Sequence, residues 1–153
     1  FAALDFAPPM TTHGCAISDE WVVAIADGII ARSTVGIVVL DLDMDGDERT
    51  GWNVFYLHIR DDGRIPIGTR VKAGDPIGHP SCEGGNATGT HVHIARKYNG
   101  EWILAAGPLA FDLEGWVAIN GEVAYQGKLV KDGVTLRACE CADARTQLSS
   151  TRP

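Results

Sequence analysis

The sequence predicts an all-β protein whose antiparallel sheet forms a sandwich or an open barrel with long loops and little helix. Short runs rich in β-branched residues recur along the chain, as is typical of strands. Asp-Gly and Gly-Asp pairs, which favour tight turns, separate these runs. No long stretch repeats its apolar residues with the helical period of about 3.6 residues.

The predicted strands follow one another closely. Four are expected at 21–25, 28–33, 36–40 and 53–59, and further strands near 70–71, 76–78, 91–97 and 101–104. Many tight turns agree with the 18 glycines in 153 residues, about 12% where ~7% is usual. We expect residues 1–137 to form one domain and the polar residues 138–153 to form a flexible tail.

The composition excludes several classes of partner. No apolar run approaches the roughly 20 residues that a membrane helix needs, so we expect no membrane insertion. The 13 Lys and Arg against 20 Asp and Glu give a net charge of -7, without a basic cluster that would bind phosphates. We therefore expect no nucleic acid partner, and we expect a monomer.

Four cysteines indicate the compartment. Cys15 and Cys82 each lie among Gly, Pro and Ser residues, where loops are expected, and we predict a disulfide between them. Such bonds persist in an oxidising, extracytoplasmic compartment, so the sequence favours a secreted protein. The alternative is a set of reduced thiols, and the pairing of Cys139 and Cys141 stays open.

Two histidines, His91 and His93, lie two residues apart in a predicted strand. Residues at this spacing project from the same face, so the two imidazoles are expected side by side while Val92 points into the core. One neutral imidazole suits a metal ion and its neighbour suits proton transfer. Alone, this pair is weak support for a site, because most such imidazoles are simply exposed or packed.

Two other segments supply further candidates. Tyr56 and His58 repeat the two-residue spacing on another strand and are expected to share a face. Asp5 lies between Leu4 and Phe6, an unusual place for a carboxylate unless it is paired or binds a metal. The alternative for Asp5 is a solvated turn.

Taken together, these segments resemble the lysostaphin-type zinc endopeptidases, which cut peptidoglycan peptides, and in particular their β-lytic subgroup. The resemblance extends over roughly residues 1–120 and depends on the order of four motifs. In chain order the motifs are Leu4-Asp5-Phe6, Tyr56-Leu57-His58, the segment from Val71 to Gly78 and the segment from Thr88 to Ile94.

The resemblance implies a zinc-bearing antiparallel β domain with a substrate groove across the sheet. It implies that Asp5 and His93 are zinc ligands, that His91 is the catalytic base and that His58 supports the transition state. The substrate would be a peptidoglycan peptide or cross-bridge. Candidates for the substrate groove are Tyr56, Asn86 and Thr90.

In this family a first metal histidine precedes the aspartate, by about four residues in common members and by about a dozen in the β-lytic type. Phe1 occupies the nearer of these positions and has no ligand atom. We therefore expect the histidine upstream of Phe1, and the alternative is a degenerate site. His13 follows Asp5 and is expected outside the site, and His79 is expected at the surface or in a loop.

An acidic segment offers a different interpretation. Residues 41–47 carry Asp at alternating positions followed by Gly46, like the first half of a calcium loop, but Trp52 stands where such a loop ends in Glu. An acidic hairpin tip is the favoured interpretation. Three aromatic residues either line a groove or pack in the core, and packing is favoured: Tyr98, Trp102 and Trp116.

The sequence thus predicts a secreted bacterial zinc metallo-endopeptidase that hydrolyses peptide bonds in cell-wall peptidoglycan. A first alternative is a catalytically degenerate domain of the same fold that binds wall peptides or regulates another hydrolase. A second is a calcium-dependent β-sandwich binding module built around residues 41–47. Bound zinc, no metal and calcium alone are the respective signatures of the three.

Overall fold

The structure of the protein, a computed structural model, describes residues 2–10, 12–141 and 144–149. Its regular elements are strands, apart from one 3-10 turn at Ala144–Thr146. The strands are β1 (Ala3–Phe6), β2 (Val22–Val23), β3 (Gly28–Thr34), β4 (Gly36–Asp41), β5 (Trp52–Ile59), β6 (Arg70–Val71), β7 (Pro76–Gly78), β8 (Val92–Tyr98), β9 (Glu101–Ile103), β10 (Asp112–Leu113), β11 (Trp116–Ile119), β12 (Lys128–Lys131) and β13 (Val134–Arg137). The prediction of an all-β, antiparallel fold is confirmed, and the sheets of the described residues are open.

The chain divides into two compact units, one spanning Ala3–Ile103 and the other built from the chain after Ile103. The first unit contains every candidate site residue. The interpretation of residues 1–137 as a single domain stays a prediction, and residues 142–143 and 150–153 of the expected flexible tail lie outside the described residues. No helix in the described ranges is long and apolar enough to cross a membrane.

One antiparallel sheet forms the centre of the first unit. Its order is β1-β8-β5-β4-β3-β6, and β9 pairs with β8 beyond the end of β1. The register places Tyr56 between Val38 and Ile94, and all three are buried on the same face. Burying a large apolar side chain of this kind is worth about 1.5–3 kcal/mol. This face is therefore the core face.

The opposite face of the same sheet carries the chemistry. Asp5 lies directly opposite His93, and His93 lies directly opposite Leu57. Directly opposed residues project from the same face of a sheet. The face that carries His93 is called the site face below.

The second unit contains a four-stranded antiparallel meander in the order β10-β11-β12-β13. Its tight turns carry Glu114-Gly115 and Asp132-Gly133, and all four residues have positive φ angles. Two successive left-handed residues favour the two-residue hairpins that join these strands. These four strands were not predicted.

Two disulfides are present in the described residues. The predicted bond between Cys15 and Cys82 is confirmed, and it joins positions that are 67 residues apart. The second bond links Cys139 to Cys141, which the sequence left open. Near the first bond, the amide of Thr90 donates to the carbonyl of Gly14 at 3.0 Å, so the loop around Cys15 lies beside the start of β8.

Candidate metal centre

Asp5 and His93 meet on the site face. Asp5 Oδ1 lies 2.8 Å from His93 Nδ1, and the two side chains are 31% and 33% exposed. The contact follows from the β1–β8 register, which sets the two residues opposite one another at neighbouring backbone positions. Both ligand atoms are therefore fixed by a ladder of backbone hydrogen bonds and remain accessible from solvent.

This pair fits a zinc ion in donor type. Catalytic zinc takes three protein ligands, drawn from imidazole, carboxylate and thiolate, with bonds of about 2.0–2.3 Å. Asp5 supplies one oxygen and His93 one nitrogen, and the ion would replace the proton that they share. The pair would thus provide two of the three protein ligands that a catalytic zinc takes.

The charge balance at Asp5 favours its ionised form. Burial, the largest single influence, raises the pKa of Asp5. The hydrogen bond and the positive charge of His93 outweigh it, with smaller contributions from His91 and His58, so the pKa is lowered from its ordinary value. The carboxylate is therefore available as an anionic ligand at neutral pH.

His91 lies beside this pair, one position before β8. Its backbone amide donates to the carbonyl of Ser81 at 3.2 Å, and its ring Nδ1 lies 2.8 Å from the carbonyl oxygen of Gly89. A carbonyl oxygen only accepts, so Nδ1 carries the proton and Nε2 of the neutral ring is free to accept one. Two-residue spacing puts His91 and His93 on one face, while Val92 is buried as predicted.

His58 reaches the same place through a β-bulge. The register of β4 and β5 shifts between Gly36 and Ile37, which leaves His58 as an extra residue with a φ angle of +67°. Its ring lies 4.5 Å from the ring of His91, centroid to centroid. Tyr56 stays on the core face, so the prediction that Tyr56 and His58 share a face is wrong. The bulge breaks the alternation on which that prediction depended.

A close backbone approach holds His58 in place. A Cβ atom at Gly36 would lie 2.4 Å from Gly84 Cα and 2.5 Å from the carbonyl carbon of Glu83, so only glycine admits this contact. The contact fixes the carbonyl oxygen of Glu83, which accepts a hydrogen bond from His58 Nδ1 at 2.8 Å. No sequence signal identified Glu83, because it acts through its backbone.

The His58 ring is biased towards its neutral form. It is 3% exposed, and burial is the main reason that its pKa is lowered from its ordinary value. The hydrogen bond to Glu83 acts in the opposite direction, and the neighbouring His91 adds to the lowering. With Nδ1 committed to Glu83, neutral His58 presents Nε2 as an acceptor.

The groove candidates divide into buried and exposed residues. Tyr56 is fully buried, and its hydroxyl accepts a hydrogen bond from the amide of Ile25 at 2.9 Å. Thr90 is also buried, and its hydroxyl donates to the carbonyl of Ala16. Neither has a surface to offer a substrate, which corrects that expectation for both. Asn86 is exposed in the loop before β8 and remains a candidate.

The chain contains two other histidines, His79 and His13. His79 lies in a loop, one of the two placements expected, but it is buried, because its ring packs 3.9 Å from the Trp21 ring and its Nδ1 donates to the carbonyl of Glu20 at 2.9 Å. It therefore has a packing role. His13 is exposed in the loop before Cys15.

An aromatic surface continues along the site face. Phe55 projects on the same side as Leu57, and the Phe55 and Trp102 rings meet edge to face with centroids 5.3 Å apart. Lys97 places its ammonium 4.5 Å from the Trp102 ring centroid. Trp102 is 51% exposed and Tyr98 is 44% exposed, so about half of each residue is covered, and each packs on another aromatic ring, Trp102 on Phe55 and Tyr98 on Trp52.

No family model matches this chain, and no curated protein matches it. A solved structure described as "A Novel M23 Metalloprotease Pseudoalterin from Deep-sea" is similar, with a TM-score of 0.71 and 20% sequence identity. The similarity covers 90% of this chain and 79% of that chain. At this identity the likeness concerns the fold, and the chain has the fold of that M23 metalloprotease.

Proposed function

We propose that this chain is a lysostaphin-type zinc metallo-endopeptidase of the β-lytic subgroup that hydrolyses peptide bonds in bacterial cell-wall peptidoglycan. The observation that carries the proposal is the 2.8 Å approach of Asp5 to His93 beside the His58–His91 pair. The shared fold with an M23 metalloprotease supports the family, and the order of the four sequence motifs supports the subgroup. Asp5 and His93 would hold the zinc together with a further histidine.

Bound zinc supplies the Lewis acidity that polarises a scissile carbonyl and lowers the pKa of a water molecule. His91 acts as the base in this proposal, because its Nδ1 is held by the Gly89 carbonyl and its Nε2 accepts a proton. The same atom then returns the proton to the leaving amine.

His58 has a conditional role. Its Nδ1 proton is committed to the Glu83 carbonyl, so it can donate a hydrogen bond to a developing oxyanion only after Nε2 is protonated. Burial disfavours that charged form in the resting site. The proposal therefore makes His58 a stabiliser of negative charge that becomes effective when a proton enters the imidazole pair.

The substrate would lie on the site face. An extended peptide needs a shallow, accessible surface, and Leu57, Phe55 and Trp102 extend such a surface from the metal centre along the sheet. Exposed Gly84, Gly85 and Asn86 lie at its rim near His58, where small residues allow a backbone to come close. We assign the substrate class as a peptidoglycan stem peptide or cross-bridge.

The same proposal includes secretion from a bacterial cell. Disulfides persist in oxidising compartments, and Cys15–Cys82 joins the two loops that flank His91. Peptidoglycan lies in that compartment, so location and substrate agree.

Zinc content and wall hydrolysis test the function in the protein at its full natural length. We expect stoichiometric zinc and hydrolysis of purified peptidoglycan by the parent. His93→Ala should lose both zinc and activity, because it removes a ligand. His91→Ala should keep zinc and lose activity by about 10²- to 10⁴-fold, the usual contribution of a general base.

His13→Ala is the matched control, since it removes an exposed imidazole without touching the described pair, and it should leave both readouts unchanged. Full zinc in the His93→Ala variant contradicts the ligand assignment. Unchanged activity in His91→Ala contradicts the base assignment. A parent with neither zinc nor activity is the signature of a degenerate domain and overturns the proposal.

A further inference from the structure

A second cluster of acidic side chains lies in the loop between β4 and β5. Carboxylate oxygens of Asp41, Asp43 and Asp45 lie within 4.8 Å of one another. Asp41 Oδ2 accepts from the amide of Gly46 at 2.8 Å and Asp41 Oδ1 from that of Asp43 at 3.2 Å, so the loop wraps around the Asp41 carboxylate. Gly46 has a φ angle of +81°, which gives the sharp turn that oxygen-rich cation loops require at this position.

Asn53 provides an independent indication that this loop binds a cation. It is 1% exposed, and its side-chain oxygen Oδ1 has no hydrogen-bond partner among the described residues. Its amide nitrogen donates to the carbonyl of Thr50, inside the same loop, at 2.7 Å. Native proteins rarely leave a buried amide oxygen without a partner, and an amide oxygen is a common ligand for hard cations.

The β4–β5 register places Asn53 beside Asp41. Asn53 lies directly opposite Asp41, so the two side chains project from the same face. The next pair along is joined by a hydrogen bond from the amide of Leu42 to the carbonyl of Trp52 at 3.0 Å. Hydrogen-bonded and non-hydrogen-bonded pairs alternate along an antiparallel ladder, so Asp41 and Asn53 form a non-hydrogen-bonded pair. In such a pair the two side chains come closest.

The cluster carries an unbalanced negative charge. Asp41 is fully buried, and no ion pair of the described residues involves Asp41, Asp43 or Asp45. The next acidic residues of the loop are already paired, since Asp47 bonds Arg49 and Glu48 bonds Arg32. A divalent cation would balance these charges.

We propose that residues 41–53 bind a calcium ion through the carboxylates of Asp41, Asp43 and Asp45 and the amide oxygen of Asn53. Calcium bonds of about 2.3–2.6 Å can bridge oxygens at this spacing, whereas magnesium requires about 2.0–2.1 Å and a near-octahedral shell. Water molecules complete the shell, because Trp52 takes the place of the usual bidentate Glu. Four protein ligands without that Glu place the Kd at about 10⁻⁴–10⁻³ M.

The calcium site is separate from the metal centre. Asn53 and Leu57 lie on the same strand four residues apart, which is about 13 Å. The loop is linked to the surface between them, because Arg32 bonds Glu48 at 2.9 Å and its guanidinium lies 5.7 Å from the Phe55 ring centroid. Calcium would therefore order the end of the site face near Asp41 and would take no part in the chemistry at the end that carries Asp5 and His93.

Terbium luminescence tests the site in the full chain, because Trp52 lies beside the proposed ligands and can sensitise a bound lanthanide. We expect saturable terbium luminescence that calcium displaces at millimolar concentration or below and magnesium displaces at least about tenfold less well. Asp43→Asn removes one exposed ligand and should weaken calcium binding by at least about tenfold. Asp47→Asn is the matched control in the same loop and should bind calcium like the parent.

Three outcomes overturn the proposal: no calcium displacement up to about 10 mM, unchanged binding by Asp43→Asn, or an equal loss in Asp47→Asn, which indicates a diffuse acidic surface. A calcium-dependent rise in the midpoint of thermal unfolding, present in the parent and absent in Asp43→Asn, is a second readout that supports it. Both readouts are independent of peptidase activity.

Discussion

At the residue scale, backbone carbonyls determine what the paired imidazoles can do. The carbonyl oxygens of Gly89 and Glu83 each accept a hydrogen bond from an Nδ1–H group, so neutral His91 and neutral His58 each keep Nε2 as an acceptor. A fixed tautomer removes the need to reorganise the ring before a proton moves. The two rings, 4.5 Å apart, differ chiefly in exposure, since His58 is buried and His91 is half-buried.

The buried His58 ring predicts a pH dependence of stability. Its pKa is lowered from 6.5 in the folded protein, so the unfolded chain takes up this proton first as the pH falls. The stabilisation is complete above about pH 6.5 and is lost as the pH falls towards the lowered value. We expect the thermal unfolding midpoint of metal-free protein to fall over this range more steeply in the parent than in His58→Asn.

Asparagine is the suitable replacement, since it tolerates the left-handed backbone of position 58 and its amide can donate to the Glu83 carbonyl. The rest of the sequence is common to both proteins, so the difference between the two profiles reports on position 58. Identical pH profiles would show that position 58 does not contribute to this dependence.

The sequence predicted His91 and His93 as neighbours because their geometry is local: two-residue spacing sets the pair on one face. A carboxylate among apolar residues indicates a partner for Asp5, but only the family resemblance joined Asp5 to His93. Tyr56 and Thr90 were assigned to the substrate groove although both are buried, and His79 lies in a loop but is also buried, because burial depends on which distant loop covers a residue. Ile25, Ala16 and Glu20 make those contacts, and none is near its partner in sequence.

At the element scale, the bulge in β5 converts a regular strand into one that aims His58 at the site. The bulge needs the backbone of the 83–84 segment to lie against the start of β4. Gly36 and Gly84 meet there without side chains, so the chain approaches itself more closely than any other residue permits. This contact is therefore as important for the site as the histidines.

Replacing Gly36 tests this contact. Gly36→Ala would place a Cβ 2.4 Å from Gly84 Cα at a φ angle of +70°, so both the clash and the left-handed backbone oppose it. We expect a loss of about 2–4 kcal/mol in the free energy of unfolding, measured by urea denaturation. Gly68→Ala has a similar φ angle of +82° and open space around it. It should cost only about 1–2 kcal/mol.

Equal losses in the two variants would mean that the close approach contributes nothing. The pH dependence that His58 confers should also become steeper in Gly36→Ala and not in Gly68→Ala. Only the first variant displaces the Glu83 carbonyl, whose hydrogen bond raises the pKa of His58, so losing that bond lowers the pKa further.

Strand prediction succeeded where the run of β-branched and apolar residues is long and the strand lies in the middle of the sheet. The predicted strands 28–33, 36–40 and 53–59 match β3, β4 and β5 to within two residues at each end. The predicted strand 21–25 shortens to Val22–Val23, and β1 and β10–β13 were not predicted. Those strands have two to four residues, too few for an alternating pattern to stand out.

At the scale of the whole molecule, the Cys15–Cys82 disulfide ties the beginning of the chain to the segment before β8. A cross-link over 67 residues restricts the unfolded chain strongly, and the chain-entropy relation gives a stabilisation of about 4 kcal/mol. The same bond lies next to the Thr90–Gly14 contact that supports the loop before His91.

The double variant Cys15→Ser/Cys82→Ser should therefore unfold with a free energy lower by about 4 kcal/mol and a reduced thermal midpoint. Cys139→Ser/Cys141→Ser is the matched control, because its cross-link spans only two positions and should contribute about 1–2 kcal/mol. Calorimetry of both variants beside the parent measures the difference. A larger loss in the control would contradict this ranking.

The amino-acid order alone determined the strand-rich architecture and the side-by-side imidazoles at 91 and 93, since these follow from alternation, turn chemistry and spacing. The tertiary structure decided which residues are buried and where the β4–β5 register shifts by one residue, at His58. It also placed Asn53 opposite Asp41 with a side-chain oxygen that has no partner among the described residues. These features arise from contacts between distant segments, whose energies depend on the assembled packing and not on any local pattern.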